Sequence, residues 1–160
     1  MRTALASFGL LAGLVAGCSP DASALQEAAQ AALDHRDFET AIAKSDAGIS
    51  AAGQDRAATW RLEQIRLEAL ARAGRSTDVR ATFERLVATY AAQVDASLYV
   101  TAATWLREAG DTQGAVDLLL VGDTRCPAEH ERFQAAITEM SQKQELAPAE
   151  VERLRSLGYL

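Results

Sequence analysis

The sequence predicts an all-α chain built as a stack of about three helical hairpins, closed by two further helices at the C-terminal end. Three observations carry this. Alanine fills 34 of 160 positions while aromatics make up only 6%, so much of the apolar content is small helix former rather than bulky core. Only three prolines occur, and long stretches carry no β-branched run. Turn signals recur at a steady interval, as His35-Arg36-Asp37, Ala73-Gly74-Arg75 and Ala109-Gly110-Asp111. Taking Arg36, Gly74 and Gly110 as equivalent, the spacings are 38 and 36, the size at which helical hairpins stack and bury one face against the next.

The first seventeen residues stand apart. Met1-Arg2-Thr3 is a short positive start, and Ala4 to Ala16 is small and apolar with no acid. About 13 such residues are too few for a hydrocarbon core that needs about 20, and the pattern is that of a secretory signal peptide over residues 1–17. Residues 18–24, CSPDASA, read as a short polar tether. Six residues reach about 20 Å at full stretch, so the folded part is expected close to whatever holds the tether.

The hairpins follow over residues 25–122. Leu25, Ala28-Ala29 and Ala32-Leu33 lie at helical spacing before the first turn, and Phe38, Ala41-Ile42 and Gly48-Ile49 continue the stripe after it. The second unit has Leu62, Ile65 and Ala69-Leu70 before Gly74, then Val79, Phe83, Leu86-Val87 and Tyr90. The third runs from Leu98-Tyr99 through Ala102-Ala103 and Trp105-Leu106 to Gly110, then Ala115-Val116 and Leu118-Leu119. Residues 123–160 read as capping helices. One starts at Cys126-Pro127-Ala128-Glu129 and carries Phe133, Ala136-Ile137 and Met140 at i, i+3, i+4 and i+7. Another starts at Ala147-Pro148-Ala149-Glu150 with Val151, Leu154 and Leu157 on one face. A terminal cap covers the last unit's apolar face, and Gly158 is placed to end the last helix as its C′ residue, leaving Tyr159-Leu160 to fold back on that helix, with a projecting end as the alternative.

Three resemblances add to this reading. Val15-Ala16-Gly17-Cys18 resembles the lipobox of bacterial lipoproteins, with valine in place of the more usual leucine. That resemblance implies an acylated Cys18 as mature N-terminus, and several acyl chains anchor a protein stably. Ser19, rather than aspartate, follows it. By the same resemblance this implies the periplasmic face of an outer membrane, with the inner membrane as the alternative. RDFETAIAKSDAGI and WLREAGDTQGAVDLL resemble tetratricopeptide repeats. In both, an aspartate just past the turn precedes an alanine four residues on, Asp37 with Ala41 and Asp111 with Ala115, where two helices cross closely. The fold this implies is a tetratricopeptide-like helical-hairpin solenoid. PAEVERLRSLGYL resembles a short segment of other bacterial repeat proteins, including some sulfatases.

The chain offers few convergent chemical groups. His35 falls at a turn and His130 on a polar face, and neither has a partner at metal-ligand spacing. Phosphate loops, nucleophile elbows and zinc-protease motifs are absent from the sequence. No enzyme activity, metal or cofactor is expected. Losing residues 1–17 removes Arg2 and no acid, which leaves 15 basic against 22 acidic residues, or −7, from the full chain's −6. Such a surface disfavours nucleic acid. Cys126 reads as a semi-buried bystander, with a disulfide between copies as the alternative.

Binding is the function expected. Tetratricopeptide resemblance places the inward positions of each hairpin's first helix in a groove. These are Gln26, Gln30 and Asp34, then Arg61, Gln64, Glu68 and Arg72, then Val100, Thr104, Arg107 and Glu108. Trp60 and Trp105 read as packing residues between hairpins. The expected role is a scaffold or assembly factor of the bacterial cell envelope that binds a protein or peptide in the groove. The alternative is a carrier of a small or lipidic ligand between helices.

Overall fold

The computed structural model describes residues 21–160. The proposed leader over 1–17 and the lipidated Cys18 lie outside the described residues. Eight α-helices and no strand occur among the described residues: α1 Ala22–Asp34, α2 Phe38–Ala52, α3 Arg56–Arg72, α4 Ser76–Tyr90, α5 Ala96–Glu108, α6 Thr112–Arg125, α7 His130–Gln142 and α8 Pro148–Ser156. No described helix is long and apolar enough to cross a membrane. Residues 22–24, expected as part of a tether, are instead the first turn of α1, because Asp21 accepts from the Ser23 amide and starts the helix at Ala22.

The recurring turn has one hydrogen-bond pattern. At Gly74 the chain turns left-handed, with φ of 70°. The Gly74 amide donates to Ala71 and the Arg75 amide to Leu70, the paired bonds of a Schellman motif that use up the last carbonyls of α3. The same two bonds close α1 at Arg36 and Asp37, α5 at Gly110 and Asp111, and α8 at Gly158 and Tyr159. They also close α7, at Gln144 and Glu145, with Gln144 at φ of 58°. The two helices read as a cap thus join through the hairpin turn, 34 residues after Gly110.

The odd-numbered helices pack in succession, α1 on α3, α3 on α5 and α5 on α7, while α4 packs on α6. Aromatic rings run through the middle of the core. Phe83 of α4 stacks on Tyr99 of α5 at 4.2 Å between centroids, and Tyr99 meets Phe133 of α7 edge-on at 6.4 Å. All three are fully buried beside Leu70, Leu86, Leu106, Leu119 and Ile137, and each such side chain contributes about 1.5–3 kcal/mol by leaving water.

Candidate functional site

The faces of the odd-numbered helices form two depressions. The larger, open and about 350 Å³, lies across α1, α3 and α5. Its rim is polar, with Gln26 and Gln30 from α1 and Arg61, Gln64 and Glu68 from α3; its floor is Ile65 together with Leu98 and Trp105 of α5. The 61/64/68 spacing puts three polar side chains on one stripe of α3, and Ile65 beside them is buried. Arg61 Nε donates to the Gln26 side-chain oxygen at 3.3 Å. Arg72 Nε donates to Glu68 at 2.7 Å, lies 3.8 Å from Glu108 and stands over the Trp105 ring at 5.7 Å. One guanidinium therefore ties α3 to α5 at the C-terminal end of the depression.

The second depression, about 70 Å³, lies between α5 and α7. Val100, Thr104 and Arg107 face Ala136, Glu139 and Met140 across it. Arg107 reaches Glu139 at 3.3 Å and Glu145 at 3.8 Å, and Lys143 donates to Glu139 at 2.6 Å. Hydrogen bonds from Lys143 and then Arg107 hold the Glu139 carboxyl below its ordinary range. The expected groove residues are thus split between two places. Asp34, Arg72 and Glu108 line neither depression, and Asp34 accepts from Gln30 Nε2 at 2.9 Å.

The tryptophans part ways. Trp60 packs against Tyr90, centroids 5.2 Å apart, and lines neither depression. Trp105 is half-buried, packs against the core as expected and also lines the larger depression.

One polar cluster has no counterpart in the sequence pattern. Asp123 of α6 is 8% exposed. His130 Nδ1 lies 3.0 and 2.9 Å from its two carboxylate oxygens, and the Tyr159 hydroxyl donates to it. Burial first, then the Asp123 hydrogen bond and charge, push the Tyr159 phenol up to about 12. The seven-residue step from Asp123 to His130 crosses a helix break at Cys126-Pro127, so no helical periodicity signals it. Cys126 itself is half-buried, and burial pushes its thiol up.

Among the described residues, no group of three or more His, Cys, Asp or Glu side chains is placed to hold a metal ion. No protein-family model, curated protein or solved structure matches this chain.

Proposed function

We propose that this chain is a lipid-anchored scaffold or assembly factor of the bacterial envelope. In this reading its hairpins form a tetratricopeptide-like stack on the periplasmic side of the outer membrane. The α1/α3/α5 depression holds a segment of another envelope protein. The observation that carries it is the meeting of Gln26, Gln30, Arg61, Gln64 and Glu68 around the apolar floor of Ile65, Leu98 and Trp105. An open trough with amide and charged rims suits an extended chain, whose backbone and side chains need both kinds of contact. The shared turn geometry at spacings of 38, 36 and 34 supports the stack. The space between α5 and α7, where a ligand carried between the repeats and the last helices would sit, is only about 70 Å³, well below the 300–1,000 Å³ of small-molecule pockets. The 350 Å³ depression is an open trough instead of an enclosed cavity, and both features favour a protein partner over a carried ligand.

The test is a photoreactive amino acid at Gln64 in cells. A specific protein adduct that disappears in Trp105→Ala and Arg61→Glu is the expected result; an adduct indifferent to both moves the site off this depression. The anchor has its own test, since Cys18→Ser should leave the membrane fraction, and continued membrane attachment would overturn the lipoprotein reading.

A further inference from the structure

Among the described residues, the large apolar side chains left exposed are Leu157, at 55%, and Leu160, at 38%. The segment that carries them is not loose. The amides of Gly158 and Tyr159 bond back to α8, and the Tyr159 hydroxyl donates to buried Asp123. The tail is fastened with its ring against the core and its two leucines held out.

Both leucines lie at one particular end of the hairpin stack. The turns at Arg36, Gly74, Gly110 and Gln144 mark one end, and the starts of the odd-numbered helices mark the other. A Cβ on Gly48 would touch both Leu25 and Leu62, so α1 and α3 start side by side. Arg56, which opens α3, donates to the Thr89 carbonyl at the close of α4 at 2.7 Å. A Cβ on Gly122, late in α6, would touch Tyr99, early in α5, and Phe133, early in α7. The ring of His130, which opens α7, lies 5.6 Å from that of Tyr159. Leu157 and Leu160 thus project at the end of the stack where Asp21 caps α1.

We infer that this end faces a lipid bilayer and that Leu157 and Leu160 dip into its surface. The inference rests on the reading of Cys18 as an acylated anchor. Asp21 is three residues from Cys18, at most about 11 Å of chain, so acyl chains on Cys18 would hold the start of α1 at the headgroups. Two leucines bind a membrane weakly, since even a single myristoyl chain is marginal. Beside an anchor they meet the surface at high effective concentration, and they orient the stack instead of attaching it. The rest of this end does not oppose contact. Ala91-Ala92-Gln93 is exposed and uncharged, and Asp21, Asp55 and Asp95 accept backbone amides at helix starts. Exposed Arg125 and Glu129 offset one another there, so a zwitterionic surface suffices. Held at α1 and again at α8, the stack cannot swivel about its anchor, and the α1/α3/α5 depression keeps a fixed direction.

The test puts an indole at the contact. The full chain with Leu157→Trp is purified from bacterial membranes, weighed by mass spectrometry for attached acyl chains, and reconstituted into phosphatidylcholine vesicles with or without bromine in the lipid tails. Emission added over the parent, which carries Trp60 and Trp105, should be lost in brominated vesicles. Leu160→Trp should give the same loss from a second position. Gln113→Trp, exposed beside the Gly110 turn at the opposite end, should lose nothing. Leu160→Glu in the Leu157→Trp chain should lessen the quenching. All these positions are exposed, and unchanged melting curves would show that the variants fold. An acylated chain with no quenching at 157 and 160, or with equal quenching at 113, overturns the inference and leaves the anchor standing. A chain without acyl groups overturns the anchor and this inference with it.

Discussion

The second hairpin and the third solve the same packing problem in opposite ways. In the third, α6 lies against α5 along much of its length, while α3 and α4 meet over a shorter stretch. Aligning the turns at Gly74 and Gly110 pairs Val79 with Ala115 and Leu86 with Gly122, the two places where the second helix crosses the first. In α6 both residues are small and buried. A Cβ on Gly122 would sit 2.6 Å from the Phe133 ring and 2.8 Å from Tyr99 Cγ, so the helices meet there nearly backbone to ring. In α4 both residues are bulky, and long polar side chains bridge the wider gap. Glu63, only 4% exposed, takes Arg85 through two bonds of 3.1 and 2.6 Å, and Arg66 donates to Thr82 at 2.8 Å. Side-chain size at two crossing points thus decides whether a hairpin closes on contact or on ion pairs.

The strongest way to break this comparison is to give α4 the residue of α6. Leu86 is fully buried, and Leu86→Gly should leave a hole that the bulk of Val79 keeps from closing. The expected loss is about 4–5 kcal/mol, from the cavity and from glycine within a helix. Chemical denaturation reads it directly, and a near-neutral result would mean that α4 settles onto α3 and that size there decides nothing. The reciprocal change, Gly122→Ala, forces a methyl group into two buried rings. Overpacking of about 1–3 kcal/mol exceeds the gain of about 1 kcal/mol from helix propensity, so a net loss of about 1 kcal/mol is expected. Gly48→Ala, whose Cβ would meet mainly the mobile methyl groups of Leu62, should cost less. Equal losses at Gly48 and Gly122 would show that the aromatic rings are not what sets the spacing.

The ion pair gives an effect smaller than that of the Leu86 cavity. Arg85→Ala orphans the buried Glu63 carboxylate, and about 1–2 kcal/mol should be lost, below the full cost of an unpaired buried charge because Arg85 is half-exposed. Glu63→Gln in the same background should recover much of it. No recovery would assign the loss to Arg85 packing instead of charge.

These differences also show what could be seen without coordinates. Helices and hairpin turns were legible because Gly74, Gly110 and the aspartates after two of the turns follow from backbone rules that act locally. The fourth turn was not: Gln144, like Arg36, adopts with a side chain the conformation that glycine advertises, but no aspartate follows it as Asp37 follows Arg36. In the site, Arg61, Gln64 and Glu68 were legible as one stripe of a helix. Trp105 was not, because an amphipathic ring serves a core and a surface equally well. Whether the expected stripe formed one trough or two depends on how far apart α5 and α7 stand, and the bulk at their contact, not periodicity, sets that. The Asp123, His130 and Tyr159 cluster needs α8 to return across α6, a closure over 36 positions that no local pattern encodes.

That cluster extends the comparison to α8, the fourth even-numbered helix, which is short and is fastened by its tail in addition to Leu154. The Tyr159 phenol is held neutral, its folded value raised to about 12 against about 10 in an unfolded chain. A raised value means that its contribution is fully present below about pH 10 and is lost as pH climbs from about 10 to 12. Stability of the parent chain should therefore fall through that window more steeply than that of Tyr159→Phe, which lacks the ionisation. At neutral pH the same variant should lose about 1 kcal/mol, the worth of one hydrogen bond, because Asp123 keeps His130. Tyrosine absorbance followed against pH checks the first expectation, with the variant missing a late-titrating component. Superimposable curves for parent and variant would mean that the tail does not dock on Asp123. The last helix would then be held by Leu154, half-buried Val151 and the Arg153–Asp117 pair without its tail.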